Sequence, residues 1–166
     1  MKLKGRKDMY DFRKATVDDI SLLVRLRMDL LRAEIKDGEN ARLDYVEKQV
    51  EQYYRESIPS QSHIAYLAFE GEVCVGTGGV CFYQVLPTYF KPTGKKAYII
   101  NMYTAPMYRR RGIAIYILDL LVKEALDHGA TYISLEATES GRPLYEKYGF
   151  ALLHSEMQYK NETYEG

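Results

Sequence analysis

The sequence has no tryptophan, no excess of either charge and only two cysteines among its 166 residues. Its 23 basic side chains are matched by 23 acidic ones, so the chain offers no net positive field to nucleic acid. Cys74 and Cys81 are seven residues apart, an odd spacing that places them on opposite faces of a strand unless a bulge intervenes. That spacing disfavours a disulfide, and no C-x-x-C pair is present to suggest a zinc site.

Long apolar runs are also missing. Residues 1–8 are basic but lack the apolar core of a signal peptide, and we expect them to form a flexible N-terminal extension. No uncharged apolar segment approaches the length that a membrane span needs. These absences favour a cytoplasmic protein that binds neither membrane nor nucleic acid.

The amino acids that are present are typical of a globular protein. The apolar fraction is 46% and the charged fraction 28%, and the length suits one compact domain over residues 1–166. The sixteen tyrosines combine apolar area with a polar tip. They suit clefts and subunit contacts, and they also suit half-buried packing with the hydroxyl at the surface. A homodimer through these side chains or through the last strand stays open.

Hydrophobic periodicity and turn residues predict ten elements in the order β-α-α-β-β-β-α-β-α-β. Strands are predicted at residues 10–13, 64–69, 73–86, 96–104, 132–137 and from Phe150 onward. Helices are predicted from residue 20 to the Asp37-Gly38 pair and at residues 43–56, 112–127 and 140–148. This order indicates an α/β fold with a mixed central sheet flanked by helices. The strands at 96–104 and 132–137 should be parallel, because a crossover helix joins them.

Three glycines lie inside the strand predicted at residues 73–86. The turn Glu70-Gly71-Glu72 joins this strand to the preceding one as a hairpin. Gly76, Gly78 and Gly79 follow within the strand, where glycine often marks a bulge or the close approach of another backbone or a ligand.

The chemically informative segment joins the strand at 96–104 to the next helix. It contains Arg109-Arg110-Arg111-Gly112-Ile113-Ala114 after a proline that stops strand pairing. The first turn of a helix has N–H groups without intrahelical partners and a partial positive charge, and a glycine there lets a ligand approach the backbone. The segment therefore suits a phosphate anion. A solvated basic loop in front of a core helix explains the same residues equally well.

Two motifs in the C-terminal half resemble those of the GNAT superfamily of N-acetyltransferases, which depend on acetyl-coenzyme A (acetyl-CoA). The run Arg109-x-x-Gly112-x-Ala114 is similar to the R/Q-x-x-G-x-G/A signature of that family. The run Leu144-Tyr145-Glu146-Lys147-Tyr148-Gly149-Phe150 is similar to the end of its second motif. The motifs occur in the family's order and at its spacing. The resemblance is close from about Tyr98 to Phe150 and is only one of pattern in the N-terminal half.

The resemblance implies that acetyl-CoA is the acyl donor and assigns its contacts. Backbone N–H groups of Arg109, Arg110, Arg111, Gly112, Ile113 and Ala114 would bind the pyrophosphate. The strand from Asn101 to Thr104 would splay from the strand at 132–137, and pantetheine would pair in the gap with the backbone of Met102, Tyr103 and Thr104. Thr138 stands at a cofactor-contact position where many members have asparagine. No metal is expected, since His63, His128 and His154 have no metal-ligand spacing.

The resemblance also implies direct attack of a primary amine on the thioester through a tetrahedral intermediate. Tyr145 matches the family's tyrosine near the sulfur and would protonate the departing thiolate as a general acid. The amine must lose a proton, and the candidates to accept it are Glu136, a water chain and Glu34, in that order. Asn101 and Glu34 are candidates for the acceptor pocket. The acceptor is expected to be a small-molecule or peptide amine.

Three alternatives are weighed against this function. An enzyme that transfers a longer acyl group would differ in the width of the pantetheine end. A non-catalytic acyl-CoA-binding sensor would keep the fold, although binding alone does not need Tyr145. A nucleic-acid patch at Arg109-Arg110-Arg111 is disfavoured by the zero net charge and by the lack of basic residues interleaved with aromatic ones.

Overall fold

The computed structural model describes residues 9–34 and 42–159, and of Glu34 the backbone only. Two expectations, the flexible extension at residues 1–8 and the end of the first helix at Asp37-Gly38, lie outside the described residues. The chain divides into two compact units, Met1–Glu136 and Ala137–Gly166. The single domain over residues 1–166 stays a prediction.

The first unit contains five strands and three α-helices. In chain order they are β1 (Asp11–Lys14), α1 (Ile20–Glu34), α2 (Leu43–Ser57), β2 (His63–Glu70), β3 (Val73–Gln84), β4 (Lys95–Thr104), α3 (Ile113–Asp127) and β5 (Tyr132–Leu135). Short 3-10 turns precede α1 at Val17–Asp19 and α3 at Pro106–Tyr108. The second unit contains α4 (Arg142–Tyr148).

The five strands form one mixed sheet in the order β1-β2-β3-β4-β5. The first four strands pair antiparallel with their neighbours. β4 and β5 are parallel, in register from Lys96 opposite Tyr132 to Ile99 opposite Leu135. β4 and β5 are parallel because α3 connects them as a crossover. It returns the chain to the end of the sheet at which β4 began, so β5 runs in the same direction. The predictions of a mixed sheet and of a parallel β4–β5 pair are confirmed.

Adjacent glycines of β3 show that helices cover both faces of the sheet. A Cβ on Gly78 would lie 2.7 Å from Ile117 Cγ2 of α3, and a Cβ on Gly79 would overlap the His63 ring, which contacts Tyr53 and Tyr54 of α2. Successive residues of a strand point to opposite faces. The helix pair α1–α2 therefore covers one face and α3 the other. Because Gly78 has no side chain, α3 can pack close to the sheet.

Apolar side chains form the core on each face. On the α1–α2 face, a cluster of buried side chains joins both helices to β2, among them Leu23, Met28, Tyr54 and Leu67. On the other face, α3 buries a stripe spaced three and four residues apart, which consists of Ile113, Ile117, Leu118, Leu121 and Ala125. Each large apolar side chain of this kind contributes about 1.5–3 kcal/mol on burial. The helices are thus fixed to the sheet chiefly by apolar packing.

A charged pair connects β1 to the start of α1. The two terminal guanidinium nitrogens of Arg13, Nη1 and Nη2, donate to the carboxylate of Asp19 at 2.7 Å. The Thr16 N–H donates to the same carboxylate at 2.8 Å. The Arg13 hydrogen bonds lower the pKa of Asp19 to about 2. Thr16 occupies the N-cap of the turn before α1.

The predicted last strand is not found in the described part of the chain. No strand is assigned to residues 149–159, and Leu152 and Leu153 are 55% and 50% exposed. The other boundaries differ from the sequence predictions by a few residues, and the α/β fold class is confirmed.

Candidate active site

A bulge reshapes β4 at the point where the predicted acceptor and cofactor residues meet. Asn101 and Met102 of β4 lie together opposite the single residue Gly78 of β3. Asn101 has a φ of 57°, in the left-handed region that asparagine tolerates better than most residues. An extra residue of this kind bends a strand and redirects its side chains. The sequence predicts a bulge or a close approach at the β3 glycines. An extra residue of β3, Val75, lies beside Gly76 opposite β2, and α3 approaches Gly78 closely.

Beyond the bulge, one edge of β4 is open. Pairing with β5 ends at Ile99 opposite Leu135, whereas β4 continues to Thr104. The other edge stays bonded to β3 as far as Thr104. On the β5 side, the backbone of residues 100–104 therefore has no partner strand among those described. Free N–H and C=O groups in an extended chain can pair with an extended ligand. Met102, Tyr103 and Thr104 lie in this open stretch.

The start of α3 has the properties of an anion site. Gly112 is the N-cap residue with a φ of 86°, and a Cβ built on it would meet no atom within 4 Å. No side chain caps the helix, and its first turn contains no acidic residue. The Tyr116 N–H donates to the Gly112 carbonyl at 3.2 Å, so the N–H groups of Ile113 and Ala114 precede the first intrahelical bond. These groups are free to donate to an anion at the positive end of the helix.

The three arginines of the loop have different surroundings. Arg109 Nε donates to the Thr104 carbonyl at 3.3 Å, which holds the loop against the end of β4. Arg111 Nη1 lies 3.5 Å from the Tyr10 hydroxyl. Arg110 has a φ of 60° and an exposed side chain, for which the described residues provide no partner. Arg110 is therefore the one of the three that is unengaged near the helix start.

A cavity of about 260 Å³ lies between the α1–α2 pair and the sheet. Its walls are largely apolar and come from Val46, Val50, Tyr53, Tyr54 and Ile100. Its polar lining consists of Arg27, Gln49, His63 and Asn101. The open edge of β4 begins at the same bulge that provides Asn101 to the cavity. The cavity and the open edge thus meet at Ile100 and Asn101.

Two buried polar atoms in the cavity wall have no hydrogen-bond partner among the described residues. They are Asn101 Oδ1, in a residue that is 8% exposed, and His63 Nε2, in a residue that is 3% exposed. The other ring nitrogen of His63 lies 3.0 Å from the Tyr53 hydroxyl. Burial lowers the pKa of His63 to about 4 and raises that of Tyr54 to about 12, so both are neutral at pH 7. Unpaired buried polar atoms cost free energy, and a ligand that pairs with them recovers it.

The second unit carries two of the residues that the resemblance assigns. Tyr145 of α4 is 9% exposed, its ring centroid lies 6.2 Å from that of Phe150, and burial raises its pKa. Its hydroxyl is therefore protonated at pH 7, as a proton donor must be. Thr138 is exposed, and its hydroxyl accepts the Gly141 N–H at 3.2 Å in the turn before α4. The roles of Tyr145 and Thr138 toward the cofactor stay predictions.

Glu136, one of the two proposed carboxylate bases, lies outside the strand predicted at residues 132–137. β5 ends at Leu135, so Glu136 lies beyond the strand rather than within it, and its side chain is exposed. Glu136 does not line the cavity. Glu34 is the last residue of α1, and its side chain lies outside the described residues.

Sequence reasoning assigned Asn101 to the acceptor groove but missed other residues of the cavity wall. The sequence gives no sign that Tyr53 lines a cavity, and it suggests no role for His63 beyond a metal ligand. Nothing in the sequence marks Arg27, which differs from the neighbouring arginines of α1 only in the direction of its side chain. The bulge at Asn101 had a weak signal, because asparagine is uncommon within a run of isoleucine and tyrosine.

Two further findings concern sites of other kinds. Among the described residues, no three His, Cys, Asp or Glu side chains are grouped closely enough to hold a metal ion. No helix in the described ranges has both the length and the apolar character of a membrane span.

Solved structures share this fold. The match to a predicted acetyltransferase with acetyl-CoA from Clostridium acetobutylicum has 33% identity and a TM-score of 0.84, and covers 95% of this chain and 100% of that one. A GCN5-related N-acetyltransferase from Ralstonia eutropha JMP134 matches at 25% identity and a TM-score of 0.80, over 92% and 99% of the two chains. An aminoglycoside N-acetyltransferase in complex with CoA is 12% identical over 92% and 94%, with a TM-score of 0.71, which shows the fold alone.

The sequence itself matches a family. No curated protein matches the chain in a sequence search. The family model of the acetyltransferase (GNAT) family matches residues 28–150, which include α2, the whole sheet except β1, the arginine loop and α4. The protein therefore belongs to the acetyltransferase (GNAT) family.

Proposed function

We propose that the protein is an acetyl-CoA-dependent N-acetyltransferase that moves the acetyl group to a primary amine. The observation that carries the proposal is the uncapped start of α3, preceded by Gly112 with open space around it. That arrangement suits a pyrophosphate, and it follows directly on the strand whose edge is open. Membership of the family and the acetyl-CoA named with the Clostridium acetobutylicum structure support the choice of donor.

The residues present fit the donor along its length. The N–H groups of Ile113 and Ala114 would receive the pyrophosphate, with Arg110 to add positive charge beside it. The backbone of Met102, Tyr103 and Thr104 would pair with the amide groups of pantetheine along the open edge of β4. The thioester would then lie beside the bulge at Asn101, where the cavity offers space for the acceptor.

The proposed reaction is a direct acyl transfer. The neutral amine nitrogen attacks the thioester carbonyl carbon, and a C–N bond forms as the carbonyl oxygen takes up negative charge in a tetrahedral intermediate. A backbone N–H at the open edge of β4 would stabilise that charge. The C–S bond then breaks, and the products are an amide and CoA thiol. One proton leaves the nitrogen and one arrives at the sulfur, so the step balances without a further reactant.

Two proton transfers are assigned to different groups. Tyr145 would donate its phenolic proton to the leaving thiolate, since its raised pKa keeps that proton in place at pH 7. The proton from the amine would leave through a water chain, because Glu136 is exposed beyond the end of β5. Glu136 and Glu34 stay as alternative acceptors for that proton.

The single domain over residues 1–166 and a cytoplasmic location also stay proposals. Cys74 and Cys81 are free thiols, which supports a reducing compartment. Val75 is an extra residue of β3 opposite β2 and lies between them, so their odd spacing no longer separates them by face.

The test is an assay of acetyl transfer with purified protein. Acetyl-CoA is mixed with a panel of primary amines, thiol release is followed, and the product is identified by mass spectrometry. We expect thiol release that depends on both protein and amine, with a product that carries one added acetyl group. Tight binding of acetyl-CoA without any transfer across the panel would favour the acyl-CoA sensor. Faster transfer from a longer acyl-CoA would favour the acyltransferase alternative.

A further inference from the structure

We propose that the cavity between α1, α2 and β4 binds a small amine that carries a carboxylate and an apolar body, such as an apolar amino acid. The inference rests on the proposed function, because it names the acceptor of that reaction. It differs from a polyamine or other polycationic acceptor, for which acidic walls would be needed.

The walls and the size of the cavity indicate that the acceptor has an apolar body. Val46, Val50 and Ile100 provide aliphatic surface, and Tyr53 and Tyr54 provide ring faces. The volume of about 260 Å³ lies just below the roughly 300–1,000 Å³ of pockets that hold drug-sized ligands. A compact metabolite with a branched, thioether or aromatic side chain suits this space, because burial of its apolar surface drives binding.

The charge of the cavity lining indicates that the acceptor carries a carboxylate. Among the residues that the structure describes, Arg27 is the only charged side chain that lines the cavity, and no aspartate or glutamate of that part of the chain lines it. Arg27 is half-buried, and no acidic side chain pairs with it in the part of the chain that is described. A guanidinium binds a carboxylate through two parallel hydrogen bonds. A second cationic group on the acceptor would instead be repelled by Arg27, since no neighbouring carboxylate offsets the charge.

Asn101 is the residue that can bind the amine of the acceptor. Its Oδ1 is buried, unpaired and part of the cavity wall, so it can accept a hydrogen bond from an amine N–H. The bulge places Asn101 where the open edge of β4 begins, which is where the thioester would lie. His63 is neutral at pH 7 and adds no charge that would oppose the amine. Arg27 thus binds the carboxylate and Asn101 the amine, two groups that an amino acid carries on one carbon, while the apolar side chain contacts the apolar walls.

The test compares amino acids with amines that lack only the carboxylate. Leucine, methionine and phenylalanine are each paired with the amine formed by their decarboxylation, and spermidine represents the polycations. Steady-state acetylation gives KM and kcat, and calorimetry with the protein in free CoA gives binding without turnover. The variant Arg27→Gln removes the charge, and Arg25→Gln removes a charge from an exposed side chain of the same helix that does not line the cavity.

We expect at least one amino acid to bind at least about tenfold more tightly than its decarboxylated partner. Arg27→Gln should raise KM for that amino acid at least about tenfold and leave KM for the partner amine unchanged, and Arg25→Gln should change neither. Equal binding of acid and amine, preferred acetylation of spermidine, or an Arg27→Gln variant with no selective effect would overturn the inference. The proposed function fails separately, through absence of CoA binding, while calorimetry with the amino acids alone still tests the cavity.

Discussion

At the scale of single residues, Asn101 connects the donor and acceptor halves of the site. Its left-handed backbone lies in the bulge, and the open edge of β4 begins beside it. Its side-chain oxygen Oδ1 is buried and has no hydrogen-bond partner among the described residues. The assignment of Asn101 to the acceptor pocket stays a prediction, because the bulge interrupts the alternation of side chains along β4. The exposed position of Glu136 was not predictable, because the sequence predicts two more residues of strand than β5 has.

Tyr145 is the residue whose chemistry is tested most cleanly. Tyr145→Phe keeps the ring that packs near Phe150 and removes only the hydroxyl. We expect kcat to fall by about 100-fold or more, as is typical when a general acid is lost, with CoA affinity changed less than about twofold. Steady-state kinetics and calorimetry measure the two quantities.

Tyr159→Phe provides the control for this variant, because the Tyr159 side chain is 93% exposed. It should turn over at the wild-type rate. A Tyr145→Phe variant with normal kcat would remove Tyr145 from the mechanism and leave it as a packed aromatic residue.

At the scale of elements, α3 serves both the core and the proposed donor site. Its buried stripe packs against the sheet through the space left by Gly76 and Gly78, and its uncapped first turn lies at the end of the arginine loop. The helix was predictable from its apolar period, and its start from the glycine. The hydrogen-bond partners of Arg109 and Arg111 were not predictable, since only the folded sheet brings Thr104 and Tyr10 next to these arginines.

The start of α3 is tested by Gly112→Ala. The added methyl group would occupy the open space in which the pyrophosphate is proposed to approach, and alanine at a φ of 86° adds about 1 kcal/mol of backbone strain. We expect the dissociation constant for CoA to rise at least about tenfold in calorimetry.

Gly129→Ala is the matched control, because Gly129 follows the other end of α3 with a φ of 74° and has open contacts of 3.8 Å or more around a Cβ. It incurs the same backbone strain without reaching the proposed site. Equal loss of CoA affinity in both variants would assign the effect to strain and count against the loop as a binding site.

At the scale of the whole molecule, the order of strands and helices carried most of the predictable information. Each strand pairs with its neighbour in sequence, and the sequence predicts the β2–β3 hairpin and the β4–β5 crossover, whereas the β1–β2 pair forms across the intervening α1–α2 helices. The bulge and the cavity were less accessible, because both depend on tertiary packing between elements distant in sequence. The segment after Phe150 shows a further limit, since its apolar residues predict a strand whereas none is assigned to residues 150–159.

The pH dependence of stability reports on the packing of the α1–α2 face. The pKa of His63 is lowered to about 4 by burial, below the ordinary value of about 6.5, so protonation favours the unfolded chain. The free energy of unfolding should therefore fall as the pH falls from 6.5 towards 4, by roughly 2–3 kcal/mol. Asp19 adds little in this window, because its stabilising contribution is lost only below about pH 4.

Denaturant unfolding of the wild type and of His63→Asn between pH 7 and 4.5 measures this dependence. Asparagine keeps a polar group beside Tyr53 and does not titrate. The variant should therefore show a flatter profile over this range. Parallel profiles for the two proteins would show that His63 does not titrate as its burial requires.

The central claim, that this member of the acetyltransferase family binds acetyl-CoA along β4 and the start of α3, is tested most directly by calorimetry. Purified protein is titrated with acetyl-CoA and, separately, with free CoA. We predict one site per chain for each, with dissociation constants on the order of micromolar. Absence of binding to both ligands would contradict the claim.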